Sequence, residues 1–388
     1  MYDFTSIIPR RNTDSVKWDV QDNELPMWVA DMDFKAAPEI IAAMKKKVEF
    51  GVFGYEEPHA DYFQAVANWY KQEHHADPAT DWMLFCTGVV PAISSAVRRV
   101  SNVGDNVVIQ APVYNIFYNA IINNGRHVLS SDLTYDQRTH QYSIDFADLE
   151  QKLADPLSTM MILCNPHNPV GKVWSKDDLT KIAKLCNQYH VTLLSDEIHG
   201  DLVFGQPDYT PLFSLPEALI QNAIICVSPS KTFNVAALHA ATVIVPNEAL
   251  RNKVNRGINT DELGEPNLLA IPGTIAAYTK GHQWLAELRQ QIKHNHQMVV
   301  DFCAKNIPAI AVVPSHATYL VWLDCSQLTD NTDKLETFIR KETGLYVSAG
   351  SEYGGNGNQF LRMNIACPET MLADGLQRLE KGIQLFQK

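Results

Sequence analysis

Between about residue 80 and residue 245, short aliphatic and β-branched runs alternate with amphipathic stretches, and this alternation limits the chain to one class of fold. The runs are Val107-Val108-Ile109, Met160-Met161-Ile162-Leu163, Val191-Thr192-Leu193-Leu194, Ile224-Ile225-Cys226-Val227 and Thr242-Val243-Ile244-Val245. A strand covered on one face alternates apolar with polar side chains. These runs do not, so they read as strands buried on both faces, as in a mostly parallel sheet with helices above and below. Residues 177–189, with Leu179, Ile182, Ala183 and Leu185 on one side, supply such a crossover helix. After Ile271-Pro272-Gly273 the pattern changes. A long helix is predicted over 283–305, then strands at Ala311-Val312-Val313, Tyr319-Leu320-Val321-Trp322 and Leu361-Arg362-Met363-Asn364, then a final helix from Glu369. The expected fold is α/β: a large domain with a mostly parallel sheet and a smaller α+β domain.

Composition narrows the function classes. The 388 residues suffice for two domains, and 46% hydrophobic against 20% charged residues describes a folded chain. Thirty-two basic against 44 acidic residues leave a net charge of −12, a field that repels phosphodiester backbones and anionic headgroups. No nucleic-acid or membrane partner is expected. Stretches free of charge, such as 232–247, contain Asn, His and Pro and fall short of the roughly 20 apolar residues that cross a bilayer. Asp3, Arg10, Arg11 and Asp14 leave no apolar signal segment, so a cytoplasmic location is predicted. Seven scattered cysteines read as reduced thiols. The 13 histidines, including His74-His75 and His294-Asn295-His296, lack metal-site spacing, and no metal is expected. Lys45-Lys46-Lys47 reads as a solvated helix face.

In open α/β sheets a ligand sits beyond the carboxyl ends of the strands, which directs attention to the residue after each run. The run ending at Val227 continues Ser228-Pro229-Ser230-Lys231-Thr232-Phe233-Asn234. A lone lysine is ordinarily a solvated charge, but one at the mouth of a buried strand can be desolvated into the free amine that Schiff-base chemistry needs. The run ending at Leu194 continues Ser195-Asp196-Glu197-Ile198-His199. Asp196 alone suits a capping residue; beside Lys231 it also suits the buried anion that keeps a pyridine nitrogen protonated. After Leu163 comes Cys164-Asn165-Pro166-His167-Asn168-Pro169-Val170-Gly171, a rigid turn with two Asn-Pro bonds open to cis geometry. It is either plain turn chemistry or the seat of an amide that donates to a ligand oxygen. Thr87-Gly88-Val89-Val90-Pro91 opens a helical stretch over 92–100, where free amides and a glycine make a plausible phosphate seat. Tyr114, in Ala111-Pro112-Val113-Tyr114, suits either ordinary packing or stacking on a flat ligand.

Taken in order, these motifs resemble the fold-type I pyridoxal-phosphate enzymes, the aspartate aminotransferase-like group, along the whole chain. Leu25-Pro26-Met27-Trp28-Val29-Ala30-Asp31-Met32-Asp33-Phe34 and Phe360-Leu361-Arg362-Met363-Asn364-Ile365-Ala366-Cys367-Pro368 are similar to the MalY/PatB-type branch of carbon-sulfur β-lyases, the cystathionine β-lyases. The resemblance implies a seven-stranded large sheet. It divides the chain into residues 1–48 (an N-terminal arm and part of the small domain), 49–282 (the large cofactor domain) and 283–388 (the C-terminal small domain). It implies pyridoxal 5'-phosphate bound covalently by Lys231, the catalytic residue, with Asp196 at the ring nitrogen, Asn168 at the ring oxygen and Tyr114 stacked on the ring. Gly88, Val89, Val90 and Ser228 would hold the phosphate, and Tyr55 would reach the phosphate of a neighbouring subunit in a homodimer. Arg362, with Ala30 and Asn168, would hold the substrate, its guanidinium on the α-carboxylate. His199 stands where many aminotransferases carry a tyrosine. It belongs with the cofactor set and favours elimination by analogy, its own role left open.

The implied activity is α,β-elimination of L-cystathionine, or of cysteine and its S-conjugates, to a thiol, pyruvate and ammonia, a step in sulfur amino acid metabolism toward methionine. Two alternatives stay open: an aminotransferase on the same scaffold, and a competent enzyme with a second regulatory binding role. Trp28, Tyr55, Tyr118 and Tyr353 are candidates for shaping the pocket. Gly350, Gly354, Gly355 and Gly357 spell no dinucleotide fingerprint and read as a mobile loop near Arg362.

Overall fold

The structure is a computed structural model and describes residues 2–388. Its centre is a seven-stranded sheet of β1 (Met83–Cys86), β2 (Asn106–Ile109), β3 (His127–Ser130), β4 (Ser158–Cys164), β5 (Thr192–Asp196), β6 (Ala223–Val227) and β7 (Ala241–Ile244). The strand order is β1-β7-β6-β5-β4-β2-β3. Every pair from β6 to β3 is parallel, while β7 runs antiparallel to both β6 and β1. All residues of β5, β6 and β7 are buried, which explains their unbroken apolar runs. The same burial hides direction. Nothing in Thr242-Val243-Ile244-Val245 distinguishes a parallel from an antiparallel partner. The connection before β7 carries the short helix Pro229–Thr232 and returns at the rim instead of crossing a face.

Strand register brings three chain turns to one place. Cys164 lies opposite Asp196, and Asp196 opposite Cys226, so the ends of β4, β5 and β6 are level. The turns beginning at Asn165, Glu197 and Ser228 therefore emerge at one rim. The helix predicted over 177–189 is α1 (Lys176–Gln188), started by a capping box in which Ser175 and Asp178 each satisfy the other's backbone amide.

A second sheet of four antiparallel strands has the order β8-β9-β11-β10, with β8 (Ala311–Val312), β9 (Leu320–Asp324), β10 (Ser348–Ala349) and β11 (Phe360–Asn364). Helices His282–Asn306 and Glu369–Phe386 match the two predicted for this region. The N-terminal arm joins here, since Leu25–Pro26 pairs in parallel with Leu345–Tyr346. A hairpin of Thr134–Asp136 and Gln141–Ser143 leaves the large sheet and grips the small one: Tyr135 donates to the Asp324 carboxylate at 2.6 Å, and Trp322 Nε1 to the Tyr142 hydroxyl at 3.2 Å. The glycine-rich segment forms two 3-10 turns, Gly350–Tyr353 and Gly357–Gln359, with Gly350 and Gly357 buried. Among the described residues, no helix is long and apolar enough to cross a membrane.

Candidate active site

At the rim where β4, β5 and β6 end lies a cavity of about 260 Å³, lined among others by Ala30, Gly88, Tyr114, Asn168, Asp196 and Lys231. Lys231 enters from the turn after β6. Its ammonium has one hydrogen bond, donated to the Ala30 carbonyl at 2.7 Å, and burial pushes its pKa down to about 8. Asp196, the last residue of β5, is 3% exposed. Burial pushes its carboxyl up to about 6, while the Ile198 amide, 3.1 Å away, and the charge of Lys231 pull the other way. This pair offers a nucleophile that loses its proton near neutrality and a sheltered acid that a cationic partner will ionise.

Asn168 is presented by the turn after β4, in which both Asn165-Pro166 and Asn168-Pro169 are cis. Its Oδ1 accepts from Arg362 Nη1 at 3.2 Å, which leaves Nδ2 as the donor end of the amide. Arg362, in the middle of β11, is 6% exposed, and its Nη2 donates to the Trp28 carbonyl at 2.9 Å. Its Nε has no partner among the described residues, and its guanidinium lies 4.9 Å from the Tyr353 ring centroid. A buried guanidinium held only by a carbonyl, an amide oxygen and an aromatic face lacks an anion, and the site is suited to receive one.

Val89 opens the helix α2 (Val89–Val100), three residues earlier than predicted, with Gly88 as its N-cap. The first backbone bond from this turn runs from Ala92 to the Gly88 carbonyl, so the Val89 and Val90 amides point out of the helix beside the cavity they line. Gly88 has φ +149°, a conformation reserved for glycine. Tyr114 also lines the cavity, and burial pushes its phenol up to about 12. His199 is buried there too. Burial first, then the charges of Lys231 and Arg362, push its pKa down to about 3, and its Nδ1 has no partner.

Two predicted residues lie elsewhere. Ser228 caps the Lys231 turn: its hydroxyl donates to the Ala240 carbonyl at 2.7 Å and accepts from the Ser230 amide at 3.1 Å, while Ser230 itself lines the cavity. Tyr55 is 98% exposed, away from this chain's own cavity, beside the exposed Phe50, Val52 and Phe53. Of the aromatic pocket candidates, Trp28 stacks on Tyr346 at 4.7 Å, and Tyr118 donates to the Tyr353 carbonyl at 3.1 Å. Sequence reasoning missed Ser230 and His239, both on the cavity wall. His239 is reached only because a 3-10 turn, Ala236–Leu238, ends in a left-handed residue there, and no pattern in the sequence announces that bend. Among the described residues, no group of three or more His, Cys, Asp or Glu is placed to hold a metal ion.

A flat, anionic aldehyde fits this donor set: a desolvated amine, a buried acid, free helix amides, a tyrosine and an amide donor share one cavity. Comparison with known proteins agrees. A model of the family "Aminotransferase class I and II" matches residues 25–379. The chain is 39% identical over 380 residues to cystathionine beta-lyase PatB of Bacillus subtilis, covering 96% of this chain and 98% of that protein. It is 33% identical to protein MalY of Escherichia coli, covering 99% of each. Among solved structures, cystalysin from Treponema denticola, described as containing a pyridoxal 5'-phosphate cofactor, superposes with a TM-score of 0.95 at 34% identity, over 99% of each chain.

Proposed function

The chain belongs to the aminotransferase class I and II family, and from that premise we propose that it is a pyridoxal 5'-phosphate-dependent carbon-sulfur β-lyase. Its substrates are L-cystathionine, and cysteine or its S-conjugates. The Cβ–S bond breaks, the sulfur leaves as a thiol, and the remaining aminoacrylate takes up water to give pyruvate and ammonia. From L-cystathionine the thiol is homocysteine, which places the reaction in sulfur amino acid metabolism on the way to methionine. The observation that carries the reading is the Lys231 amine, its pKa lowered by burial, in one cavity with buried Asp196. Full-length similarity to a protein named cystathionine beta-lyase favours elimination over amino transfer.

When bound, the cofactor supplies an aldehyde for a Schiff base and a ring that stores the electron pair released at the substrate Cα. Lys231 would be the residue that holds it, and its amine would be the base for the Cα proton. Asp196 would hold the proton on the ring nitrogen, and Asn168 would donate from Nδ2 to the ring oxygen. Tyr114, on the cavity wall, would cover a face of the ring. The Val89 and Val90 amides, with Gly88 allowing close approach, receive the phosphate. Arg362 exchanges the Trp28 carbonyl for the substrate carboxylate, with Ala30 beside it, and so sets which bond at Cα faces Lys231.

The enzyme is a homodimer in this reading. The cluster of Phe50, Val52, Phe53 and Tyr55, each at least 59% exposed, supports it as the surface from which Tyr55 reaches the partner's phosphate seat. A cytoplasmic location is supported by seven cysteines that are all unpaired and buried. The deciding assay supplies the cofactor-loaded protein with L-cystathionine and no keto acid. Pyruvate and free thiol should accumulate in equal amounts. Thiol release that fails, with amino transfer to an added keto acid in its place, overturns the lyase reading.

A further inference from the structure

Glu197 follows Asp196 but does not share its cavity. It is 1% exposed, and its oxygens collect four donors: Ser195 Oγ at 2.7 Å, Asn165 Nδ2 at 3.1 Å, the Leu212 amide at 3.1 Å and the Tyr209 hydroxyl. No lysine, arginine or histidine pairs with it among the described residues. Burial pushes its pKa up to about 7 even with these donors pulling the other way. An acid buried without a counter-charge is costly, and an apolar or amide side chain would avoid that cost. What Glu197 holds explains its presence. Asn165 opens the turn that presents Asn168, and it is tied twice to the end of β5: its amide donates to the Asp196 carbonyl at 2.9 Å and its side chain to Glu197.

Resting on the cofactor reading, we propose that Glu197 is a positioning residue that acts through Asn165, locking the 165–168 turn to the end of β5 so that Asn168 and Asp196 meet the same ring at a fixed separation. The carboxylate suits this task because it accepts at both oxygens. A glutamine could keep its oxygen on Ser195, Asn165 and Leu212 and donate its NH2 to the Tyr209 hydroxyl, so the variant that removes the tie to Asn165 is alanine.

The test uses the full chain loaded with pyridoxal 5'-phosphate, comparing the parent with Glu197→Ala, Asn165→Ala and the double variant. The readouts are the pH midpoint of the bound cofactor's absorbance change, which responds to the hydrogen bonds on the ring, and kcat and KM for L-cystathionine. Both single variants should move the midpoint in the same direction by about half a unit or more. Each should lower kcat about tenfold with KM within about twofold, and the double variant should add little. A Glu197→Ala protein that melts earlier yet keeps the parent's midpoint and kcat overturns the proposal, since only stability would then depend on the residue. If Glu197→Ala does not fold, Glu197→Asp, whose shorter side chain withdraws the carboxylate from Asn165, takes its place, and an unmoved midpoint and kcat overturn the proposal. A parent chain that shows no absorbance of linked cofactor contradicts the proposed lyase function; a normal parent with unaltered variants contradicts only the role of Glu197.

Discussion

Lys231 works because its surroundings withhold water from it. With burial lowering its pKa to about 8, the fraction of free amine grows as pH climbs through that value, and only the free amine attacks an aldehyde. Capture of pyridoxal 5'-phosphate by the cofactor-free chain, followed by absorbance, should accelerate as pH rises through about 8 and level off above it; a rate independent of pH there contradicts the assignment. Arg362→Ala removes the fork that awaits a carboxylate, and KM for L-cystathionine should rise about ten- to a hundredfold with a smaller change in kcat. An unchanged KM counts against the clamp. His199, its pKa pushed down to about 3, should stay neutral, so its imidazole NMR signals should not move between about pH 8 and pH 5. A midpoint near the ordinary histidine value would show that the ring is wetter than its burial implies. That Lys231, Asp196 and Asn168 would meet at one rim was legible in the sequence because each lies at or just after the end of a strand that burial makes easy to recognise. Glu197 was not, although it sits in the same motif, because which way a side chain leaves the rim depends on the turn after the strand.

At the scale of elements, the level ends of β4, β5 and β6 turn three separate sequence motifs into one site. The helices were legible from their periodicity: residues 177–189 and 283–305 became Lys176–Gln188 and His282–Asn306. The start of α2 was less so, since Pro91 marks the first turn of a helix without saying which residue begins it. Gly88 is the hinge of that start. A Cβ there would lie 3.2 Å from Pro91 Cδ, in a backbone conformation that L residues avoid. Gly88→Ala should cost about 1–3 kcal/mol in urea unfolding and weaken cofactor binding, because the strained turn carries the Val89 and Val90 amides with it. Unfolding and cofactor affinity equal to the parent's would show that the turn is not what sets the anion seat.

Across the whole molecule, the segment from Trp28 to Phe34 ties the two sheets together. Asn364 Nδ2 donates to the Val29 and Asp31 carbonyls, each at 2.6 Å, and Asn234, three residues after Lys231, holds Met32 and Phe34. An ionic knot fixes this segment from behind: Asp33 accepts from Lys17 at 2.7 Å, Trp18 at 2.7 Å and Arg10 at 2.8 Å. The Ala30 and Trp28 carbonyls meanwhile accept from Lys231 and Arg362, the two cations to which the proposed function gives the cofactor and the substrate. Sequence similarity marked this stretch as important, but its role as a strap depends on contacts 200 or more residues apart, which no local pattern encodes. Asp33→Ala should therefore destabilise the chain by about 3–5 kcal/mol, since Lys17, 1% exposed, loses its main partner; a calorimetric midpoint close to the parent's would contradict that. In the proposed function, covalent attachment of the cofactor falls to Lys231 alone. Reduction of the cofactor-loaded protein with borohydride, followed by peptide mapping, should place the pyridoxyl phosphate on Lys231 and leave Lys231→Ala unlabelled, whereas label on another lysine, or none, would contradict the account.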